Sequence, residues 1–230
     1  MVVHAGNMAL EINGDISPKA LPRHDLAPIG IWGSGKLATL DGSHPPALES
    51  AIFDADKDVF VSVKGVPACR IAQLEARETK KAEAVCGSAI LGRGSATVEV
   101  AFPEQKPIVS TGPLVLFNGG EQSGVVTVLA HAYVNVPAPT AVVATVRVSR
   151  VSKGSLGLHI RVEVPKIAGG AGSTVAARFS MRRVYTYKGE RRSVISGRCP
   201  DGKIQGRGTF DYSDGTSLSG GLLRSCTGKD

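Results

Sequence analysis

The stretch from residue 59 to residue 100 constrains this chain most, because only there does the pattern change from strand to helix and back, between two cysteines. It reads as a strand at 59–63, a Gly-Val-Pro turn running into Cys69, a short helix ending on Cys86, a Gly-rich turn, and a second strand at 96–100. Between the cysteines, Ala82, Val85, Cys86 and Ala89 recur at the spacing of one helical face, with Glu78, Lys80, Lys81 and Glu83 elsewhere on the surface. Outside this stretch, Val-rich alternating runs follow one another with Gly, Pro, Asn and Asp turns and no alternating helices. That pattern predicts an all-β fold, an antiparallel β-sandwich or open barrel with one short helix between Cys69 and Cys86.

At 230 residues the chain is long enough for one large β-domain or two modest ones. Residues 1–25 are expected as an irregular tail or edge strand holding a short strand at 9–13, and residues 26–230 as the β-rich domain. Pro137-Ala-Pro139 would mark the meeting of two halves near 137–140. Trp32, the single tryptophan, is expected as a core or edge anchor. Asp54-Ala-Asp-Lys-Asp58 is expected to join strands at 48–53 and 59–63 into a hairpin, Gly112-Pro113 to mark a bulge or an edge, and Asn118-Gly119-Gly120 to form a hairpin turn. Lys188-Gly189 and Asp214-Gly215 signal two more hairpins, whose pairing would bring Cys199 and Cys226 together.

The four cysteines, Cys69, Cys86, Cys199 and Cys226, form an even set without a C-x-x-C pair. Tight pairs are what structural zinc sites use, so two disulfides are the reading to prefer, in any of three connectivities. Disulfides imply an oxidising compartment, hence a secreted or cell-envelope location. Pairing Cys69 with Cys86 and Cys199 with Cys226 would close short loops, at about 3 to 4 kcal/mol of stabilisation each on the chain-entropy account. Against export, the start Met1-Val-Val-His-Ala-Gly-Asn-Met8 has neither the basic opening nor the apolar run of a leader. No apolar run approaches the roughly 18 residues of a spanning helix, so the chain is expected not to be transmembrane.

The formal net charge of +7 directs attention to anionic partners. Its densest source is one stretch, where Arg178, Arg182, Arg183, Lys188, Arg191, Arg192 and Arg198 stand against Glu190 alone. Strand alternation sets Arg178, Ser180, Arg182, Thr186 and Lys188 on one side and Phe179, Met181, Tyr185 and Tyr187 on the other. The first set is either a plain solvent face or a binding face. In the compartment that the cysteines imply, its ligand would be an anionic cell-surface polymer such as a teichoic or uronic polysaccharide; nucleic acid is disfavoured, because aromatic stacking platforms are scarce.

Catalytic signals are sparse. His131 shares a strand face with Tyr133 and Asn135, which would suit a pocket, acid/base chemistry or an inward polar cluster. No G-x-S-x-G, S-x-x-K or H-E-x-x-H stretch is present. Gly30-Ile-Trp-Gly-Ser-Gly35-Lys36 matches most of a phosphate-binding loop, but Leu37 stands where a magnesium-holding hydroxyl belongs, and residues 37–42 start no helix. Asp54, Asp56 and Asp58 open like a calcium loop, yet Val59 and Gly65 replace its Gly and Glu, so a solvated hairpin turn competes with a calcium site; no other cofactor is implied.

Several phrases, taken as a set, resemble a family of uncharacterised exported proteins from actinobacteria: Leu26-Ala-Pro-Ile29, His44-Pro-Pro-Ala-Leu48, Gly65-Val-Pro-Ala-Cys69, Ala101-Phe-Pro-Glu-Gln105, Leu116-Phe-Asn-Gly119, Val136-Pro-Ala-Pro-Thr140, Pro165-Lys-Ile-Ala-Gly169 and Ser213-Asp-Gly-Thr216. The resemblance covers about residue 15 onwards, includes all four cysteines, and departs at the missing leader. It implies a secreted or envelope location and carries over no catalytic residue. The expectation is therefore a non-catalytic binding or structural protein of the cell surface. An exported hydrolase or glycan-active enzyme using His131, and a nucleic-acid binder using the Arg-rich hairpin, are the alternatives.

Overall fold

The computed structural model describes residues 1–103, 105–135 and 138–230. The N-terminal part folds as β1 (Val2–Ala5), β2 (Met8–Ser17), β3 (Ala20–Pro22), β4 (Ala27–Pro28) and β5 (Gly30–Thr39). Strands β6 (Leu48–Asp56) and β7 (Val59–Val61) lead to the helix α1 (Thr79–Cys86). Then come β8 (Ile90–Val100), β9 (Ile108–Gln122), β10 (Val125–Asn135), β11 (Pro139–Lys153) and β12 (Leu156–Glu163). The chain ends with β13 (Gly172–Met181), β14 (Val184–Tyr187), β15 (Glu190–Ser193), β16 (Ile195–Gly197), β17 (Lys203–Tyr212), β18 (Ser217–Ser225) and β19 (Thr227–Lys229).

Twelve of these strands make one antiparallel sheet in the order β1-β2-β5-β13-β8-β9-β10-β11-β12-β6-β17-β18. The sheet curls until β18 packs on β1 and β2, giving a nearly closed barrel whose seam is joined by side chains. At the seam Gly220 lies bare against Met1 and Val3, and Arg224 donates to the Gly14 carbonyl (2.7 Å) and to Asn13 Oδ1 (2.8 Å).

Alternation along each strand decides what faces in. On β8, Ala96, Val98 and Val100 are buried while Arg93, Ser95, Thr97 and Glu99 point outward; on β2, Met8, Leu10, Ile12 and Ile16 are buried. The short segments β3, β4, β7 and β16 plug the interior, bringing Leu21, Ile29, Val59 and Ile195 into one core with Leu114, Leu116 and Val128. With arginines outside and aliphatic side chains inside, the wall has the opposite polarity to a transmembrane barrel, whose outward band is apolar. No helix among the described residues is long and apolar enough to cross a membrane.

Strands β9 and β10 are covered on both faces along their middles, over residues 114–118 and 128–132. Their outward Val115, Phe117, Leu129 and His131 lie beneath a pad made by α1 and its flanking turns, where Leu74, Ala82, Cys86 and Ala89 close a second core. The Cys69–Cys86 disulfide ties this pad together, and Cys199–Cys226 ties the end of β16 to the end of β18, so the short-loop pairing is the one formed. Val85, expected on the buried helical face, is instead exposed at its margin.

Several expectations need correction. The 48–63 hairpin does not form: β6 runs on through Asp54 and Asp56 and pairs with β12 and β17, and β7 leaves it to pair with β16. Residues 1–25 supply the edge strand β1 and also β2, which is paired on both sides. Asn118 is no turn residue; it is buried, donates to the Val66 and Pro67 carbonyls, and accepts from the Gly120 amide, anchoring the Cys69 turn to β9. The register shift in this hairpin falls at Thr127/Val128, and β9 is regular through Gly112 and Pro113 where it pairs with β8. The meeting of two halves expected near 137–140 falls partly outside the described residues, which omit Val136 and Pro137; on either side of it β10 and β11 pair with each other.

Candidate functional site

The basic stretch is two elements. β13 ends at Met181 and β14 starts at Val184, leaving the barrel to pair with β15 as a separate hairpin. Its odd-numbered side is the docked one: the Tyr185 hydroxyl donates to the Lys64 carbonyl (2.8 Å), and the Tyr187 ring lies on Gly65, whose φ of 87° and missing side chain make room for it. Arg183 turns inward on the same side to the Ile90 carbonyl.

The even-numbered side faces outward and makes the site. Arg178 stands opposite Ser34 of β5, Ser180 opposite Trp32, and the Arg182 stem lies across the bare backbone of Gly30, which a methyl group would crowd at 3.1 Å. Beyond Arg182 the hairpin leans over the Ser17-Pro18 turn and β4. Between them opens a cleft of about 450 Å³ lined by Pro18, Pro28, Ile29, Arg182, Val184 and Arg191. Arg191, opposite Thr186 in the hairpin, reaches this cleft from the other wall. Among the described residues neither arginine has a carboxylate partner, whereas the nearby Arg192 is paired to Glu190 and Arg93 to Glu83. Two guanidinium groups around an apolar floor form a receptor for a ligand that carries anionic groups on a partly apolar frame.

The structure divides the sequence-derived set. Arg178, Arg182 and Arg191 share the outward face; Lys188 and Arg192 cluster instead around the Tyr187 ring, at 5.7 and 5.8 Å from its centroid. Lys188 sits at the turn with φ 53°, which takes it off the strand's alternation. His131 is 0% exposed, its Nε2 donating to the Arg77 carbonyl at 2.8 Å and its ring set edge-to-face on Phe117, so no ligand reaches it. Tyr133 is half-buried further along the same strand.

Asp54, Asp56 and Asp58 are between 2% and 6% exposed, which rules out a solvated turn. Their oxygens are occupied by protein donors. Asp54 lies in one lateral row between His159 and Arg207, accepting from His159 Nδ1 (2.8 Å) and from Arg207 Nε and Nη2 (3.0 and 2.9 Å). The hydrogen bond from His159, then Arg207, holds its carboxyl below the ordinary range. Asp58 pairs with Lys57 (2.7 Å) and Arg198 (2.6 Å), which together outweigh its burial and lower its pKa. Asp56 accepts the amides of Asp58 and Gln205, but burial dominates and raises its pKa. No cluster of three or more potential metal ligands occurs among the described residues. These carboxylates are the polar struts of the β12-β6-β17 wall.

The phosphate-loop-like motif lies wholly within β5, hydrogen-bonded on both sides, so its amides serve the sheet. Its glycines have another use: Gly33 faces inward and accommodates the Phe179 ring. Trp32 is what sequence reasoning missed. It is 43% exposed on the outer wall, and its place opposite Ser180 depends on a partner strand far along the chain. No protein-family model, curated protein or solved structure matches this chain.

Proposed function

We propose that the protein is a non-catalytic binding protein of the secreted or cell-envelope compartment, and that its arginine cleft takes an anionic surface polymer. The observation that carries this reading is the convergence of Arg182 and Arg191, without carboxylate partners among the described residues, on one cleft. The two disulfides support the oxidising compartment. A polymer is favoured over a small anion because Arg178 continues the same face along β13, beyond the cleft.

The test is calorimetric titration of the protein with a polyuronate, at salt from about 50 to 200 mM, where counterion release should weaken binding steeply. Removing a charged hydrogen-bond donor from the cleft should cost about 1.5 to 3 kcal/mol, so Arg182→Ala with Arg191→Ala should lower affinity at least tenfold without moving the melting temperature. A wild-type protein that retained no polyanion, or a double variant that bound as well as wild type, would remove the reading.

A further inference from the structure

We propose that the polymer is an acidic polysaccharide whose sugar rings stack on Trp32 while its carboxylates are taken by Arg178 and Arg182. This rests on the cleft reading above and names its ligand class. Trp32 projects from the outer face of β5 with 43% of its surface in solvent. Its neighbours on that face are small: Gly30 and Ser34 two residues either way along β5, and Ser180 opposite on β13. Part of the indole is therefore open to solvent.

The two arginines are its diagonal neighbours across the ladder, at roughly 7 to 8 Å, a separation that aromatic and long side chains span. Arg178 donates Nε to Ser95 Oγ of β8 at 2.9 Å, on the side of β13 away from Trp32, which holds the side chain and leaves its terminal nitrogens for a ligand that spans the strand. On the other side of Trp32 stands Asp15, whose carboxylate is taken up by Lys19, so it does not repel an anion at full charge.

An aromatic plate beside a strand that carries two cations matches a chain that alternates apolar ring faces with carboxylates. The C–H face of a pyranose packs on an indole by burial of apolar surface, and uronate carboxylates match the fork of an arginine. A polyphosphate offers the charges without the ring face. Single-stranded nucleic acid offers both, but its recognition by stacking uses a run of aromatic platforms, and this face presents one.

Because Trp32 is the only tryptophan, its fluorescence reports this site alone. The protein would be titrated with polygalacturonate, inorganic polyphosphate, dextran and oligodeoxythymidylate, following emission, with calorimetry on wild type, Trp32→Ala and Trp32→Phe. We expect a saturable emission shift with polygalacturonate and none with dextran. Trp32→Ala should weaken polygalacturonate binding roughly tenfold, with partial recovery in Trp32→Phe, and leave polyphosphate binding unchanged. Polygalacturonate binding that is tight but indifferent to Trp32 would overturn this inference and leave the cleft reading standing. Tighter, Trp32-dependent binding of the oligonucleotide would replace the polysaccharide with nucleic acid. Failure of every polyanion to bind would remove the cleft reading itself.

Discussion

A histidine sealed beneath a helix stays neutral unless the fold offers its proton a partner. His131 offers one ring hydrogen to the Arg77 carbonyl, and its other nitrogen, Nδ1, is buried without a partner among the described residues. Burial consequently depresses its pKa below the ordinary value near 6.5. The sign of the linkage follows: as pH falls from about 6.5 towards the folded pKa, the unfolded chain takes up this proton first, and stability that was complete above that range is lost. We expect calorimetric melting temperatures to begin to fall with acidification as pH drops below about 6.5. His131→Phe, which preserves a ring against Phe117, should flatten the decline, and equal slopes in the two proteins would show that His131 is not its source. The same residue shows where reading the sequence stops. Its alternation with Tyr133 and Asn135 was legible, but not that a pad from elsewhere in the chain covers that face. Likewise Asp54, Asp56 and Asp58 have the composition of a solvated turn, and only distant segments bury them: His159 and Arg207 hold Asp54 and the Gln205 amide helps hold Asp56 within β6, while Arg198 holds Asp58 just after it.

The helix was legible for the opposite reason, since its signal is local. The spacing of Ala82, Cys86 and Ala89 needs no knowledge of the partner, and those residues are buried as that spacing requires. Eight residues are too few for a helix to persist by propensity alone, so α1 depends on its docking and on the Cys69–Cys86 bond. That bond closes a loop with a sequence separation of 17, worth about 3 kcal/mol in chain entropy. In the paired Cys69→Ala and Cys86→Ala variant we expect the amides of 70–89 to exchange with solvent orders of magnitude faster, while β10, hydrogen-bonded to β9 and β11, stays protected. Simultaneous loss of protection across the barrel would mean that pad and wall unfold as one unit. The basic hairpin was legible in part: alternation grouped Arg178 with Arg182, and the Lys188-Gly189 turn was recognised. The break after Met181, which swings β14 off the barrel and opens the cleft, has no local mark, because it arises where Tyr185 and Tyr187 dock on the Lys64-Gly65 turn.

At the scale of the molecule, local signals gave the strand content and several hairpins, and left the order of strands unread. Ladders such as β13 with β5 and β6 with β17 join segments far apart in the chain, and alternation says which face is buried without saying which strand lies beside it. The seam is the extreme case, because β18 meets β1 and β2 with no ladder at all. What joins it is apolar packing around Gly220 and the forked donation of Arg224 to the Gly14 carbonyl and Asn13 Oδ1. Two charge-assisted hydrogen bonds of this kind are each worth about 1.5 to 3 kcal/mol when removed, less what solvent returns to a half-buried arginine. Arg224→Ala should therefore lower stability by about 1 to 3 kcal/mol in denaturant titration and speed amide exchange first in β1 and β18. Arg224→Lys keeps the charge but loses the planar fork, so it should recover only part of that stability. If Arg224→Ala left the exchange of both edge strands unchanged, apolar packing alone would hold the seam, and the barrel would be closed by Met1, Val3 and the bare face of Gly220.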